Sequence, residues 1–161
     1  MAHSLTISTP TLDEVLAIRH QVLWPDRTKD FCVVDGDDQA KHYGVMLENK
    51  LVSVASIYID EDVARLRKLA TLQEFQNRGI GSFLIKSILD DLSNEPIKVF
   101  WCDARESAIE FYKRFGMVVD GKPFFKQEVS YVKMSMYIVF FVIPVFIGQP
   151  GRLQRVSYDL E

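Results

Sequence analysis

The chain has 161 residues, which fits one domain at roughly 100–200 residues per domain. Apolar residues make up 48% and charged residues 25%, a balance that excludes wholesale disorder, collagen and a disulfide miniprotein. The 19 basic and 22 acidic side chains give a formal charge of -3. That balance argues against a protein that binds nucleic-acid phosphates, so no nucleic-acid partner is expected.

The two cysteines, Cys32 and Cys102, stand far apart and are not accompanied by a Cys/His cluster. Because no metal-ligand spacing is present, we expect no metal site. The sequence starts without a basic segment followed by an apolar run, so no secretory signal is predicted. These features favour free thiols and a cytoplasmic protein.

The most apolar segment, 137–147, holds eleven residues without a charge and is interrupted by Pro144. It is shorter than the roughly 20 apolar residues of a spanning helix, so we predict no membrane contact. An exposed run of this kind would favour aggregation. We therefore expect the 134–147 stretch to be buried, with a homodimer contact favoured over packing within the chain. Residues 137–161 are interpreted as an apolar strand extension and a polar C-terminal tail.

The first predicted elements are a strand and a capped helix. Residues 5–8 alternate like a strand. Thr11 and Glu14 have the spacing of a capping box, and the apolar residues after Thr11 predict a helix over 12–24. The polar residues 26–41 are typical of a loop.

Three strands are predicted to follow as an antiparallel meander. The β-branched, apolar stretches 43–47 and 51–59 are separated by a polar turn, which indicates a hairpin. Alternation over 63–72 predicts the third strand. The period then changes, and apolar residues at helical spacing from Ile80 to Leu92 predict a helix.

Strand and helix signals alternate in the rest of the chain. They predict a strand over 97–102, a helix over 104–115 that ends at Gly116, and closing strands over 118–119 and 129–141. The strand–helix–strand order forms a crossover unit, so the strands at 63–72 and 97–102 should be parallel neighbours. The predicted fold is α/β (α+β in some schemes), with a mixed, mostly antiparallel central sheet flanked by helices.

A glycine-containing turn, Gln76 to Gly81, connects the third meander strand to its helix. Amides at a helix N-terminus attract anions, and Gly79 and Gly81 allow a ligand to approach the backbone, so we expect a phosphate there. Residues 63–86 carry five basic side chains against one acid, which favours an anionic ligand. The turn is not a P-loop, because no Gly-Lys-Ser/Thr follows. A Rossmann-type nucleotide site is disfavoured because Leu84 replaces the third glycine.

Two blocks of the sequence resemble the GNAT superfamily of N-acetyltransferases. The turn 76–81 is similar to the family's Q-x-x-G-x-G pyrophosphate signature. Residues 104–117 are similar to its A-x-x-x-A-x-x-F-Y-x-x-x-G-F block, with Met117 in place of the usual aromatic. The resemblance covers about residues 7–136, and we assign 1–136 to a GNAT acetyltransferase domain. It implies that the parallel strand pair splays apart.

The resemblance also implies acetyl-CoA as co-substrate. In the family the turn amides hold the pyrophosphate, and the end of the preceding strand pairs with the pantetheine arm. A bulge in that strand frees an amide to polarise the thioester carbonyl. The implied cofactor-binding residues are Leu69, Ala70, Thr71, Gln76, Asn77, Arg78, Gly79, Ile80, Gly81 and Asp103.

Direct attack of an amine on the thioester is the implied reaction, which leaves Cys102 without a role. Tyr112 is the implied general acid for the departing CoA thiolate, with a purely core role as its alternative. Asp103 is a departure, because relatives often have Asn at the matching position. No motif selects a general base, for which the candidates are Asp60, Glu61, His20, His42 and a water chain.

Other assignments remain open between a role in the functional site and a purely structural or solvent-exposed role. Trp24 fits the acceptor pocket and the core equally well. Arg78 is as consistent with a phosphate contact as with a solvated helix charge. The segment 26–62 holds nine acids and four bases, which favours a cationic acceptor.

The predicted function is a cytoplasmic acetyl-CoA-dependent N-acetyltransferase that acts on a primary amine of a small molecule or peptide. One rival function is a non-catalytic acyl-CoA-binding or sensing module on the same fold. The other is an interaction protein that binds a partner through the apolar tail at 137–161.

Overall fold

The computed structural model describes residues 4–138. The strands of this range are β1 (Leu5–Ser8), β2 (Lys41–Leu47), β3 (Lys50–Asp60), β4 (Val63–Thr71), β5 (Val99–Arg105), β6 (Val118–Val119), β7 (Phe124–Lys126) and β8 (Val129–Tyr137). They form one sheet in the order β1-β2-β3-β4-β5-β8-β6, and β7 also pairs with β8. Only the β4–β5 pair of this described sheet is parallel, as the crossover unit predicts.

Three α-helices lie within residues 4–138: α1 (Leu12–Leu23), α2 (Ile80–Ser93) and α3 (Ile109–Lys113). The predicted capping box begins α1. The Thr11 hydroxyl accepts a hydrogen bond from the Glu14 N–H at 3.3 Å, and the Glu14 carboxylate accepts one from the Thr11 N–H at 2.8 Å. Both orphan amides are thereby satisfied, which fixes where the helix begins.

The helices cover the two faces of the sheet. Val54 belongs to a small cluster with Val15 and Ile18 of α1, whereas Ala55 belongs to the larger cluster that contains α2. Because neighbouring strand residues point to opposite faces, α1 and α2 lie on opposite sides of the sheet. The buried stripe of α2 is Ile80, Leu84, Ile85, Ile88 and Leu92.

The pairing of β4 with its neighbouring strands changes halfway along its length. It pairs with β5 only as far as Leu66, which lies opposite Cys102, and the two strands diverge beyond that point. A bulge follows: Val54 is opposite Ala70 and Ser56 is opposite Arg67, so Lys68 has no partner of its own in the β3 ladder. The end of β4 is therefore an unpaired edge on its β5 side.

The second half of the chain departs from the sequence prediction in two places. The helix expected over 104–115 is only five residues long, because Ala104 and Arg105 continue β5 by pairing with β8. The short strand β7 was not predicted. Its partner β8 ends at Tyr137. Of the 134–147 stretch that was expected to be buried, Met134 is fully buried and Tyr137 is 78% exposed. The predicted continuation of the strand to 141 and the tail from 139 onward lie outside the described residues, and the homodimer contact stays a prediction.

Candidate active site

A cleft of about 740 Å³ opens where the unpaired end of β4 meets the start of α2. It is lined by most of the residues that the resemblance assigns to the cofactor. These are Leu69, Ala70, Thr71, Gln76, Asn77, Gly79, Ile80 and Gly81. Arg78 and Asp103, the two other assigned residues, are not among the residues that line the cleft.

The turn before α2 exposes backbone amides to this cleft. Gly79 is the N-cap residue at φ +77°, a left-handed conformation that glycine adopts without strain. Its carbonyl accepts the Phe83 N–H at 2.9 Å, so the first amides of the helix have no intrahelical acceptor. No side chain caps them. This end of the cleft is consequently suited to an anion.

Gln76 joins this turn to β4. Its side-chain amide donates a hydrogen bond to the Thr71 carbonyl at 2.9 Å. The bond fixes the turn before α2 relative to the strand edge that forms the adjacent wall. The two parts of the cleft are thus held together as one surface.

Two arginines also line the cleft, and sequence reasoning missed both. Arg105 ends β5, and Arg114 follows α3 with its guanidinium 5.1 Å from the Phe111 ring centroid. Phe111 lies 3.6 Å from where a Cβ on Gly81 would be, so α3 packs close to the turn. A count of basic residues could have flagged the arginines, but only the tertiary arrangement of β5 and α3 brings them to the cleft. Their charges make the cleft still more suitable for phosphates.

Tyr112 lies beneath the cleft rather than in its lining. The residue is only 8% exposed, and its phenol lies close to the buried Cys102 thiol. Burial, followed by the charge of a Cys102 thiolate, raises the pKa of Tyr112 above its ordinary value. Burial also raises the pKa of Cys102 to about 12. Both groups therefore keep their protons at neutral pH.

The histidines considered as bases hold backbone carbonyls. His20 Nε2 donates to the Arg27 carbonyl at 2.6 Å, which fastens the chain after α1. His42 Nε2 donates to the Asp37 carbonyl at 2.8 Å, and its Nδ1 lies 2.7 Å from the Ser56 hydroxyl. Because both of its ring nitrogens are hydrogen-bonded, His42 has a structural role.

The acidic candidates for the base lie far from the cleft. Asp60 and Glu61 form the β3–β4 turn, at the opposite end of β4 from Lys68. Lys68 is five residue steps along the strand from Val63, a span of about 16 Å at roughly 3.3 Å per residue. No carboxylate or histidine is present among the residues that line the cleft.

The Asp103 carboxylate forms ion pairs with two cationic side chains and does not line the cleft. Its carboxylate lies 2.9 Å from an Arg65 guanidinium nitrogen and 3.0 Å from Lys126 Nζ. This pairing explains how a charged residue is tolerated where relatives often have Asn. Its predicted contact with the cofactor remains a prediction.

Trp24 lies beside the bulge of β4. It belongs to neither core cluster of the described residues, and its ring centroid is 4.5 Å from Lys68 Nζ and 5.6 Å from the Phe31 ring. The structure therefore places Trp24 outside the core clusters and beside the bulge, although not among the residues that line the cleft, and its role in an acceptor pocket stays a prediction.

Comparison with known proteins agrees with this geometry. Residues 10–138 match the model of the acetyltransferase (GNAT) domain. An uncharacterized N-acetyltransferase of Bacillus subtilis (strain 168), YitI, is 29% identical over 129 residues, which cover 74% of this chain and 87% of that protein.

Two solved structures illustrate the similarity of the fold. The ribosomal-protein-S18-alanine N-acetyltransferase of Escherichia coli superposes with a TM-score of 0.72 at 15% identity, covering 89% of this chain and all of the other. A GNAT family acetyltransferase from Elizabethkingia anophelis with acetyl-CoA bound gives a TM-score of 0.62 at 17% identity, covering 83% and 97% of the two chains.

The chain thus belongs to the GNAT acetyltransferase family and is an acyltransferase. Its fold is the one expected from the resemblance, with a splayed parallel strand pair in a mixed sheet. GNAT enzymes transfer an acetyl group from acetyl-CoA, and the residues of the cleft fit that co-substrate: unbonded helix amides and arginines for its phosphates, and an open strand edge for its extended arm.

Two absences hold for residues 4–138. Within them, no group of His, Cys, Asp and Glu side chains is arranged to hold a metal ion. No helix of this range combines the length and apolar character that a bilayer crossing requires.

Proposed function

We propose that this protein transfers the acetyl group of acetyl-CoA to a primary amine by direct attack, without an acyl-enzyme. The observation that carries the proposal is the continuity of one cleft from the amides of α2 to the open end of β4. A ligand with phosphates at one end and an extended arm at the other matches that shape. Its reactive end would then lie at the bulge beside Lys68.

The unpaired backbone of β4 supports the placement of the arm. Beyond Leu66, Arg67, Ala70 and Thr71 have ladder partners on β3, whereas no described residue of this part of β4 has one on β5. The amides of an extended ligand would complete hydrogen bonds there, as an added strand does. Leu69, Ala70 and Thr71 are the residues that would provide this edge.

The proposed chemistry needs two proton movements. The amine nitrogen bonds to the carbonyl carbon while the carbon–sulfur bond breaks, the amine loses a proton, and the sulfur gains one. Tyr112 is the proposed donor to the sulfur. Its buried phenol is protonated at neutral pH, so it has a proton to give to the sulfur.

A non-catalytic acyl-CoA-binding module is the second candidate function. The burial of Tyr112 and its absence from the cleft lining favour this alternative, because a general acid has to reach the leaving group. Transfer by Tyr112 would require its hydroxyl to turn from Cys102 toward the cleft when both substrates are bound.

Thiol release from acetyl-CoA, measured with a panel of amines and amino acids, tests the proposal. We expect amine-dependent release that falls about 10²–10⁴-fold in Tyr112→Phe, the usual contribution of a positioned acid. The matched control is Tyr43→Phe, which removes the hydroxyl of an equally buried tyrosine that donates to Asp91 on α2. Calorimetric titration with acetyl-CoA shows whether each variant still binds.

Three results discriminate between the alternatives. Loss of release in Tyr112→Phe with retained binding, and near-normal release in Tyr43→Phe, supports the transferase with Tyr112 as acid. Equal activity of both variants would remove Tyr112 from the mechanism. Binding of acetyl-CoA without amine-dependent release from any acceptor would favour the binding module.

A further inference from the structure

We propose that the acceptor of this enzyme is a small amine that also carries an anionic group, a carboxylate or a phosphate, which Arg67 and Lys68 bind. This inference rests on the proposed function, because it takes the reactive end of acetyl-CoA to lie at the β4 bulge. It replaces the expectation of a cationic acceptor that the acidic segment 26–62 suggested.

The position of the bulge determines where the amine must arrive. Leu69 lines the cleft, and Lys68 directly precedes it at φ +57°, an unusual conformation for a lysine. Such strain is retained where the surrounding structure requires it, commonly at functional sites. The amine must approach from the α1 side of the sheet, since α2 and its large core cluster fill the other side.

That side of the sheet carries a cationic patch, defined as Arg65, Arg67, Lys68 and Lys126. The first three are on β4, and Lys126 on β7 reaches them through Asp103. The charges are close enough to act on one another. Burial, reinforced by the charges of Arg67, Lys126, Arg19 and Arg65, lowers the pKa of Lys68 to about 8.

The charge of the cationic patch is only partly compensated within residues 4–138. Asp103 pairs with Arg65 and Lys126, and Asp37 pairs with the neighbouring Arg19. Neither Arg67 nor Lys68 has an ion pair with a described carboxylate. Their recorded neighbours are aromatic rings, Tyr58 at 5.3 Å from Arg67 and Trp24 at 4.5 Å from Lys68.

Two of the nine acidic residues that suggested a cationic acceptor are paired with cations outside this patch. Asp37 is buried against Arg19, and Asp62, beside the distant β3–β4 turn, pairs with Lys98 at 2.9 Å. An amine whose only charge is its ammonium group would therefore be repelled at the bulge. An anionic group on the same molecule would pair with the uncompensated cations and orient the amine toward the cleft.

Matched pairs of acceptors test this inference. Each amino acid of a panel is compared with the amine left after removal of its carboxylate, and each aminoalkyl phosphate with its alcohol, in the full-length enzyme with saturating acetyl-CoA. We expect kcat/KM to be about tenfold or more higher for the anionic member of the preferred pair. We expect that ratio to fall toward one in Arg67→Gln, mainly through KM.

The control variant is Lys98→Gln, which removes one positive charge just before β5, beside the distant β3–β4 turn. It should retain the full preference for the anionic acceptor, whereas Arg67→Gln should lose it with unchanged acetyl-CoA affinity. Preference for carboxylates or for phosphates identifies which anion the site uses, and either supports the inference.

Two outcomes would overturn the inference, and they are distinguishable. Acetylation of amines with equal or better activity on the uncharged members would refute the anionic acceptor and leave the transferase intact. Absence of acetylation across the whole panel, with acetyl-CoA bound, would refute the proposed function and this inference with it.

Discussion

Two cations on the α1 side of the sheet, Arg19 and Lys68, lie in opposite electrostatic surroundings. Arg19 is fully buried, and its guanidinium donates to both carboxylate oxygens of Asp37, at 2.7 and 2.9 Å, and to the Ser56 hydroxyl at 2.8 Å. Lys68 is half-buried among like charges and has no described carboxylate partner.

Their pKa values reflect this difference. Burial alone would lower the pKa of Arg19, but its hydrogen bonds and charge pairing with Asp37 raise it above the ordinary value. Burial and like charges together lower the pKa of Lys68 to about 8. A buried charge that is paired within the protein has a structural role. A buried charge without such a partner marks a place where a ligand can supply the opposite charge.

Asp37→Ala removes the carboxylate partner of the buried Arg19, so that Arg19, like Lys68, is left without one. Of the predicted effects, this one should be the largest. Leaving Arg19 buried without its partner should lower the free energy of unfolding by about 3–5 kcal/mol, measured by urea denaturation at pH 7. The control is Asp120→Ala, which breaks an exposed pair with Lys133 at 3.4 Å and should cost less than about 1 kcal/mol. Similar losses in the two variants would contradict the contrast.

The Arg19–Asp37 pair also predicts how stability depends on pH. Burial opposes ionisation of Asp37, but hydrogen bonds from Arg19, Tyr58 and the Val34 N–H lower its pKa below the ordinary value. The resulting stabilisation is complete above the unfolded-state pKa of about 4 and is lost as pH falls through the lower folded value. Asp37→Ala should lack this part of the acid dependence.

Lys68→Gly and Lys68→Ala separate charge from backbone strain at the bulge. Both remove the charge, but only glycine adopts φ +57° freely. We expect Lys68→Gly to be more stable than Lys68→Ala by about 1 kcal/mol in urea denaturation, while both lose the preference for anionic acceptors. Equal stability of the two variants would show that the bulge changes conformation when the lysine is replaced.

Lys68→Arg should produce the smallest effect, which is measured as a change in the pH dependence of kcat/KM. The ratio of kcat/KM in wild type to that in Lys68→Arg cancels the titration of the acceptor itself. For an anionic acceptor this ratio should fall a few-fold as pH rises through about 8, because lysine loses its charge there and arginine does not. A flat ratio, or an equal fall with the uncharged amine, would exclude Lys68 as the anion's partner.

Much of the fold could be predicted because its signals are local. The capping box at Thr11, the alternation of the meander strands and the glycine turn at 76–81 each lie within a few residues of the structure they specify. The family resemblance then added that the parallel strand pair splays apart. The cleft gathers residues from that same turn and the adjoining strand, so most of the assigned cofactor residues lie together.

The parts that could not be predicted depend on distant packing. The helix expected over 104–115 is shorter because pairing with β8 keeps Ala104 and Arg105 extended. The partner of Arg19 is 18 positions away, and nothing in the local sequence links the two. The acidic residues of 26–62 suggested a single acidic surface next to the acceptor. In the fold, however, Asp37 is buried and Asp60 lies at the β3–β4 turn, far from the cleft.

The divergence of β4 and β5 also bears on edge-to-edge aggregation. Open strand edges are templates on which other chains can pair and aggregate. Here the open edge lies inside the sheet, with β3 on one side and the walls of the cleft around it, rather than at the margin of the sheet. The protein thereby keeps an unpaired edge within a cleft, where a slender molecule with its own amides can complete it.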